Sequence, residues 1–113
     1  MNMKTLAEKI ETIIKRNIAT TRMRDFYDVY ILYKLYEEKI NIETLKEAIK
    51  NTSRKRNSQK DMDDYDEILE DIITDEYLRQ NWENYLRDNP YVGDLLFDET
   101  INVLSEILNS IYK

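Results

Sequence analysis

Residues 22–38 read RMRDFYDVYILYKLYEE, and this stretch decides the fold class. Between Phe26 and Tyr36 only Asp28 and Lys34 are charged, and apolar or aromatic side chains occupy nearly every direction around a helix. A helix apolar on all sides belongs in the middle of a bundle. Tyr27, Tyr30, Tyr33 and Tyr36 recur at every third position. At about 100° per residue each step falls about 60° short of a full turn, so the four rings fan over about 180° of surface. They cannot form one stacking ladder. Rings held in the core with hydroxyls reaching partners at its edge are the expectation, and a base-stacking platform is the alternative.

The flanking sequence repeats the helical period. Met3, Leu6, Ala7, Ile10, Ile13 and Ile14 form an apolar stripe, with Lys4, Glu8, Glu11 and Lys15 assigned to the other side. Asn17 to Thr21 reads as a break, with Thr20 or Thr21 capping the next helix. Asn41 caps a third helix carrying Ile42, Leu45, Ala48 and Ile49 inward to about Thr52 or somewhat beyond, and Asn51 to Lys60 reads as a frayed end leading into a loop. A fourth helix carries Met62, Tyr65, Ile68, Leu69, Ile72 and Ile73. Asp75 starts a fifth with Tyr77, Leu78, Trp82, Tyr85 and Leu86 inward, ending at Asn89-Pro90. The last helix carries Phe97, Ile101, Leu104, Leu108 and Ile111. One glycine and one proline in 113 residues leave a β architecture without turns. The expected fold is an all-α compact bundle of about five to six helices in a single domain, residues 1–113, with no internal repeat.

Composition excludes several chemistries. With no cysteine and no histidine, the chain has no disulfide, thiol nucleophile, histidine base or zinc site built on either residue. Gly93 stands alone, so neither common glycine-rich phosphate loop is present. No apolar run reaches the ~18 residues of a spanning helix and none follows the N-terminal lysine as in a secretory signal. No membrane association and a cytoplasmic location are therefore expected. The net charge of −6 conceals an asymmetry. Residues 1–60 hold 14 Lys and Arg against 8 Asp and Glu, whereas residues 61–113 hold 3 against 15. Complementarity between the halves is one reading of this, and a nucleotide or nucleic-acid surface on the basic half is the other. Lys46, Lys50, Arg54, Lys55, Arg56 and Lys60 read as a solvated loop, with salt-dependent RNA-backbone contact as the alternative.

Asp25 and Asp28 stand three apart and share a helix face, with Arg22 and Arg24 just upstream. The structural reading gives Asp25 to the helix N-terminus and pairs Asp28 with an arginine. The functional reading notes that Asp28 is the sole carboxylate in the apolar run, where a buried charge costs several kcal/mol unless paired, metal-bound or kept as a proton acceptor. Lys9 lies beside the inward stripe of the first helix. If the first two helices pack together, lysine and carboxylates meet in the combination that phosphoryl or nucleotidyl transfer uses, without a metal site.

The run Leu6-Ala7-Glu8-Lys9-Ile10, then Arg16, then Thr21-Arg22-Met23-Arg24-Asp25-Phe26-Tyr27-Asp28-Val29-Tyr30, resembles the C-terminal half of the AbiEii/AbiGii-type nucleotidyltransferases. Gln80-Asn81-Trp82 with Tyr85-Leu86 is similar to a later segment of that family. The resemblance implies a bacterial abortive-infection or toxin–antitoxin toxin that uses nucleoside triphosphate and Mg²⁺ and acts on RNA. It places Lys9, with Arg22 and Arg24, at the triphosphate and one of Asp25 and Asp28 as base for the incoming hydroxyl. The family's Gly-Ser and carboxylate-pair motif on an N-terminal strand has no counterpart here, so no metal ligand is assigned. The expectation is a helical C-terminal portion without the catalytic sheet domain, inactive in isolation. Its partners would be a separate catalytic half or an antitoxin, with RNA and NTP bound in an intact enzyme. The alternative is a stand-alone, antitoxin-like interaction module. A helical ribonuclease of the Arg…His type is disfavoured by the missing histidine.

Overall fold

Short polar side chains start the helices that carry the site. The computed structural model describes residues 2–20 and 22–113. Asn2 Oδ1 accepts the Lys4 amide at 2.8 Å and opens α1, Met3–Arg16. A 3-10 turn, Asn17–Ala19, follows it, and Thr20 Oγ1 accepts the Arg22 amide at 3.3 Å ahead of α2, Met23–Tyr36. Thr21, the other expected cap, lies outside the described residues. Asn41 Oδ1 accepts the Thr44 amide at 3.0 Å and opens α3, Ile42–Lys55. The short α4, Gln59–Asp63, leads to α5, Tyr65–Thr74. Asp75 caps α6, Glu76–Asp88, through the Leu78 amide at 3.0 Å. A final 3-10 turn at Pro90–Val92 precedes α7, Phe97–Tyr112. Among the described residues there is no strand, so the all-α expectation holds. No described helix is long and apolar enough to cross a membrane.

The core joins Leu6, Ile10, Ile13 and Ile14 of α1 to Leu45 and Ile49 of α3 and to Leu104 and Leu108 of α7. Each such side chain contributes on the order of 2 kcal/mol when removed from water. Phe26 meets Phe97 edge-on at 5.1 Å, and Trp82 lies 5.7 Å from the same ring, fastening α2 and α6 to α7. The Trp82 indole nitrogen donates to the Leu95 carbonyl at 2.9 Å, so its one polar atom is satisfied. α1 packs against both α2 and α3, and from it Lys9 reaches α2 while Glu8 and Glu11 reach Arg56 after α3.

Five expectations need correction. The fourth helix divides at Asp64 into α4 and α5, where the backbone leaves helical values (φ −90°, ψ +17°) and the Asp64 amide adds a 3-10-type bond to the Asp61 carbonyl. Residues 51–60 are not frayed: α3 runs to Lys55, Asn57 takes φ +57° and Ser58 returns to the interior. α2 is not enclosed on all sides. Its Met23, Phe26, Val29 and Tyr33 are buried, but Leu35 is 68% exposed, because the packed neighbours cover only part of its circumference. Tyr77 is 65% exposed rather than inward, since Leu78 and Trp82 take the core side of α6. Glu11, assigned to the solvent side of the first helix, is buried at 1% exposure, because α3 and α4 close over that flank.

Candidate functional site

The first two turns of α2 bring Asp25 and Asp28 to the middle of α1. Lys9 Nζ lies 3.0 Å from Asp28 Oδ2 and 3.8 Å from Asp25 Oδ1. Arg22 Nε stands 3.5 Å from Asp25 Oδ2, and Arg24 Nε stands 3.6 Å from Asp28 Oδ2. All five residues singled out in the sequence therefore converge. Burial reverses the expected emphasis. The Asp25 side chain is 3% exposed and that of Asp28 21%, although Asp28 is the one set within the apolar run. The apolar run determines only what neighbours Asp28 along the helix; packing against α1 determines which carboxylate is covered.

A buried carboxylate is stabilised only by full pairing and hydrogen bonding. Asp25 is flanked by Lys9 at 3.8 Å and Arg22 at 3.5 Å, ion-pair contacts on opposite oxygens that are longer than a good hydrogen bond. Both contacts to Asp28 fall on Oδ2, leaving Oδ1 without a partner among the described residues. Arg22 and Arg24 approach their aspartates through Nε, and the side chains are otherwise exposed. Their terminal guanidinium nitrogens have the fork geometry that suits phosphate oxygens. A surface cavity of about 230 Å³ opens here, lined by Thr5, Glu8, Lys9, Thr12, Arg22 and Asp25.

A second cavity of about 420 Å³ shares Arg22 and extends past Arg24 to Tyr77, Asn81, Asn84 and Tyr85 on α6. Tyr85 and Tyr91 join hydroxyls at 3.1 Å, and Tyr27 meets Tyr91 edge-on at 5.5 Å. Burial pushes the Tyr85 phenol up from its usual value, as do the Tyr91 hydroxyl and the charge of Asp28, while Arg24 opposes. The tyrosine fan of α2 is not a ladder, as its spacing requires: Tyr33 reaches Glu106 at 3.3 Å, whereas Tyr30 lies beneath Lys34.

The neighbouring flank of α1 holds a network with no local signature in the sequence. Glu11 accepts from Arg56 Nη1 at 2.7 Å and from the Ser58 hydroxyl at 2.7 Å, and Arg56 also reaches Glu8 at 3.0 Å. The partners lie more than forty residues apart. The only available signal was that Glu11 interrupts the stripe between Ile10 and Ile13.

The donor set does not fit a Mg²⁺ centre. Magnesium needs carboxylate oxygens free to face it in octahedral order. Here Asp25 and Asp28 are held by three cations, and among the described residues no three acidic groups converge. The cluster itself has three cations against two carboxylates, its arginines are exposed, and Glu8 lines the adjoining cavity.

The chain matches the family model "Nucleotidyl transferase AbiEii toxin, Type IV TA system" over residues 4–103 and belongs to that family. The match spans the Lys9 helix, the aspartate helix and the Trp82 segment, so the resemblance read from those motifs holds. No curated protein sequence and no solved structure matches the chain.

Proposed function

We propose that the chain supplies the helical side of a toxin nucleotidyl-transfer site. In this reading Lys9, Arg22 and Arg24 contact the triphosphate. Asp28, the more accessible carboxylate, accepts the proton of the incoming RNA hydroxyl as that oxygen bonds to the α-phosphorus and pyrophosphate leaves. Carboxylates for Mg²⁺ would come from a catalytic sheet segment outside these 113 residues, and an antitoxin would be the regulatory partner. The observation that supports the reading is the Lys9 ammonium bridging Asp25 and Asp28 from another helix. On this reading the chain alone transfers nothing. Incubation with RNA, Mg²⁺ and each labelled NTP should leave the RNA unlabelled; labelling that Asp28→Ala abolishes would sink the inactivity claim. Binding of inorganic tripolyphosphate should weaken at least tenfold in Lys9→Met with Arg22→Gln, and unchanged binding would overturn the assignment of the site.

One observation favours a second reading as an interaction module: each oxygen of the covered Asp25 faces a cation within the cluster, as in a structural ion-pair strut. That reading expects Asp25→Asn to lower thermal stability while tripolyphosphate binding is absent from the parent chain as well.

A further inference from the structure

The cations nearest the candidate site, with Arg56 just after α3, are paired, and among the described residues those on the outer side of α3 are not. Lys9, Arg22, Arg24 and Arg56 each meet a carboxylate within 4.0 Å. Among the described residues Lys4, Lys46, Lys50, Arg54 and Lys55 make no ion pair and lie together, whereas the other unpaired cations, Arg16, Lys34, Lys39 and Lys60, line none of the hollows on this face. Favourable placement at a helix C-terminus accounts for Arg54 and Lys55 but not for Lys4, Lys46 or Lys50. Lys46, Lys50 and Arg54 recur every four residues on one face, a rise of about 6 Å per step. That step is close to the separation of neighbouring phosphates along one strand of a nucleic acid. Glu43 and Glu47 oppose the field near the start of α3 and Asp63 lines a hollow with Lys50 and Arg54, while Glu8 is paired with Arg56, so the face retains a modest positive surplus carried by Lys4, Lys46, Lys50, Arg54 and Lys55.

The surface beneath these cations is hollowed in adjoining stretches. A hollow of about 560 Å³ along α3 shares Asn51 with one of about 370 Å³ between Lys4 and Lys55. The second hollow shares Glu8 with the cavity at Lys9 and Arg22. Large exposed apolar residues lie elsewhere, at Ile18, Leu35, Tyr77, Tyr91 and Leu96. Protein interfaces rely on apolar or aromatic anchors at their centre, and this face has none. Interfaces with nucleic acid are polar and positively charged.

We propose that the outer face of α3, from Lys46 to Lys55 with Lys4 beside it, docks the sugar–phosphate backbone of a nucleic acid. The assignment goes beyond the nucleotidyl-transfer reading and does not depend on it. Backbone contact carries little sequence preference and loses affinity steeply with salt.

The test measures anisotropy of fluorescein-labelled RNA and DNA duplexes of the same sequence, about 20 base pairs long, titrated with the chain from about 50 to 200 mM KCl. Expected is a log–log salt slope of about −3, weakening of about tenfold or more at 100 mM in Lys50→Glu/Arg54→Glu/Lys55→Glu, and a slope reduced by about one per cation removed. The milder Lys50→Gln/Lys55→Gln should show a smaller loss in the same direction, with circular dichroism of both variants unchanged. Arg87→Glu, outside this face, should bind as the parent does. Equal affinity for the two duplexes assigns the contact to phosphate, and a preference for RNA adds the 2′-hydroxyl; both support the proposal. Absence of duplex binding, indifference to the α3 substitutions, or equally tight binding of polyglutamate with the same salt slope overturns it. Tripolyphosphate binding measured in parallel should not change in the α3 variants, so failure of this face and failure of the Lys9 site are separable.

Discussion

The ammonium of Lys9 sits 3.0 Å from Oδ2 of Asp28, nineteen residues away and on a different helix. The same nitrogen reaches the covered Asp25, so one lysine compensates two carboxylates that share a face. Lys9→Met keeps the aliphatic stem and removes the charge, leaving Asp25 with Arg22 alone. The expected cost is about 2 kcal/mol, lower than for a fully buried pair because Asp28 is partly solvated. Urea unfolding of Lys9→Met, Asp28→Asn and the double variant checks it, and additive losses would show that the contact carries no coupling.

Glu11 makes a second prediction. Its carboxylate is 1% exposed and held by Arg56 and Ser58. Arg56→Ala leaves that charge buried without its cation and should destabilise by about 3 kcal/mol. Ser58→Ala removes one hydrogen bond and should cost about 1–2 kcal/mol. Thermal unfolding should rank the two in that order.

The aromatic join between α2, α6 and α7 is a packing prediction. Trp82→Ala empties the space beside Phe97 and orphans the Leu95 carbonyl. A loss of about 4 kcal/mol is expected, with Trp82→Phe milder. Near-ultraviolet circular dichroism together with urea titration distinguishes a loosened core from a global unfolding.

Gly93 follows the 3-10 turn with φ +72° and ψ −137°. A Cβ there would meet nothing within 4 Å, so Gly93→Ala is strained through the backbone alone. Its cost should be about 1–2 kcal/mol, with no change in the near-ultraviolet spectrum of the core.

Alkaline pH should destabilise the fold. Burial raises the phenols of Tyr33, Tyr65, Tyr85 and Tyr112, so the native chain holds these protons to higher pH than the unfolded chain does. The stabilisation is fully present below the unfolded value near pH 10 and is lost as pH rises through the native values. Urea midpoints measured between about pH 9 and pH 11 should fall, and Tyr85→Phe should flatten that fall. A midpoint that rises over this range contradicts the sign.

The local features of the fold were legible because each is encoded within a few residues. Asn41 and Asp75 announce α3 and α6 by hydrogen bonds to amides three positions on. Pro90 ends α6 through the conformation it imposes on Asn89. The candidate site was legible for a related reason: Asp25 and Asp28 share a face by spacing, and the Leu6–Ile10 run carries Lys9 in a recognisable motif. The split of the fourth helix was not legible, since its apolar period continues through Asp64 and the break lies in the backbone alone.

The sequence by itself determined that the chain is helical, where most helices start and stop, and which five charged residues belong together. The first two follow from helical period, capping chemistry and scarcity of glycine and proline, which act over one or two turns; the grouping of Lys9 with Arg22, Arg24, Asp25 and Asp28 rests on the family resemblance. Tertiary structure alone decided that Asp25 rather than Asp28 is covered, that Glu11 is interior, that Tyr77 is exposed, and that the cations of α3 stand unpaired. Those outcomes depend on which helix closes over which flank. Desolvation and ion pairing act across tens of residues of chain, and no local pattern records the neighbour that causes them.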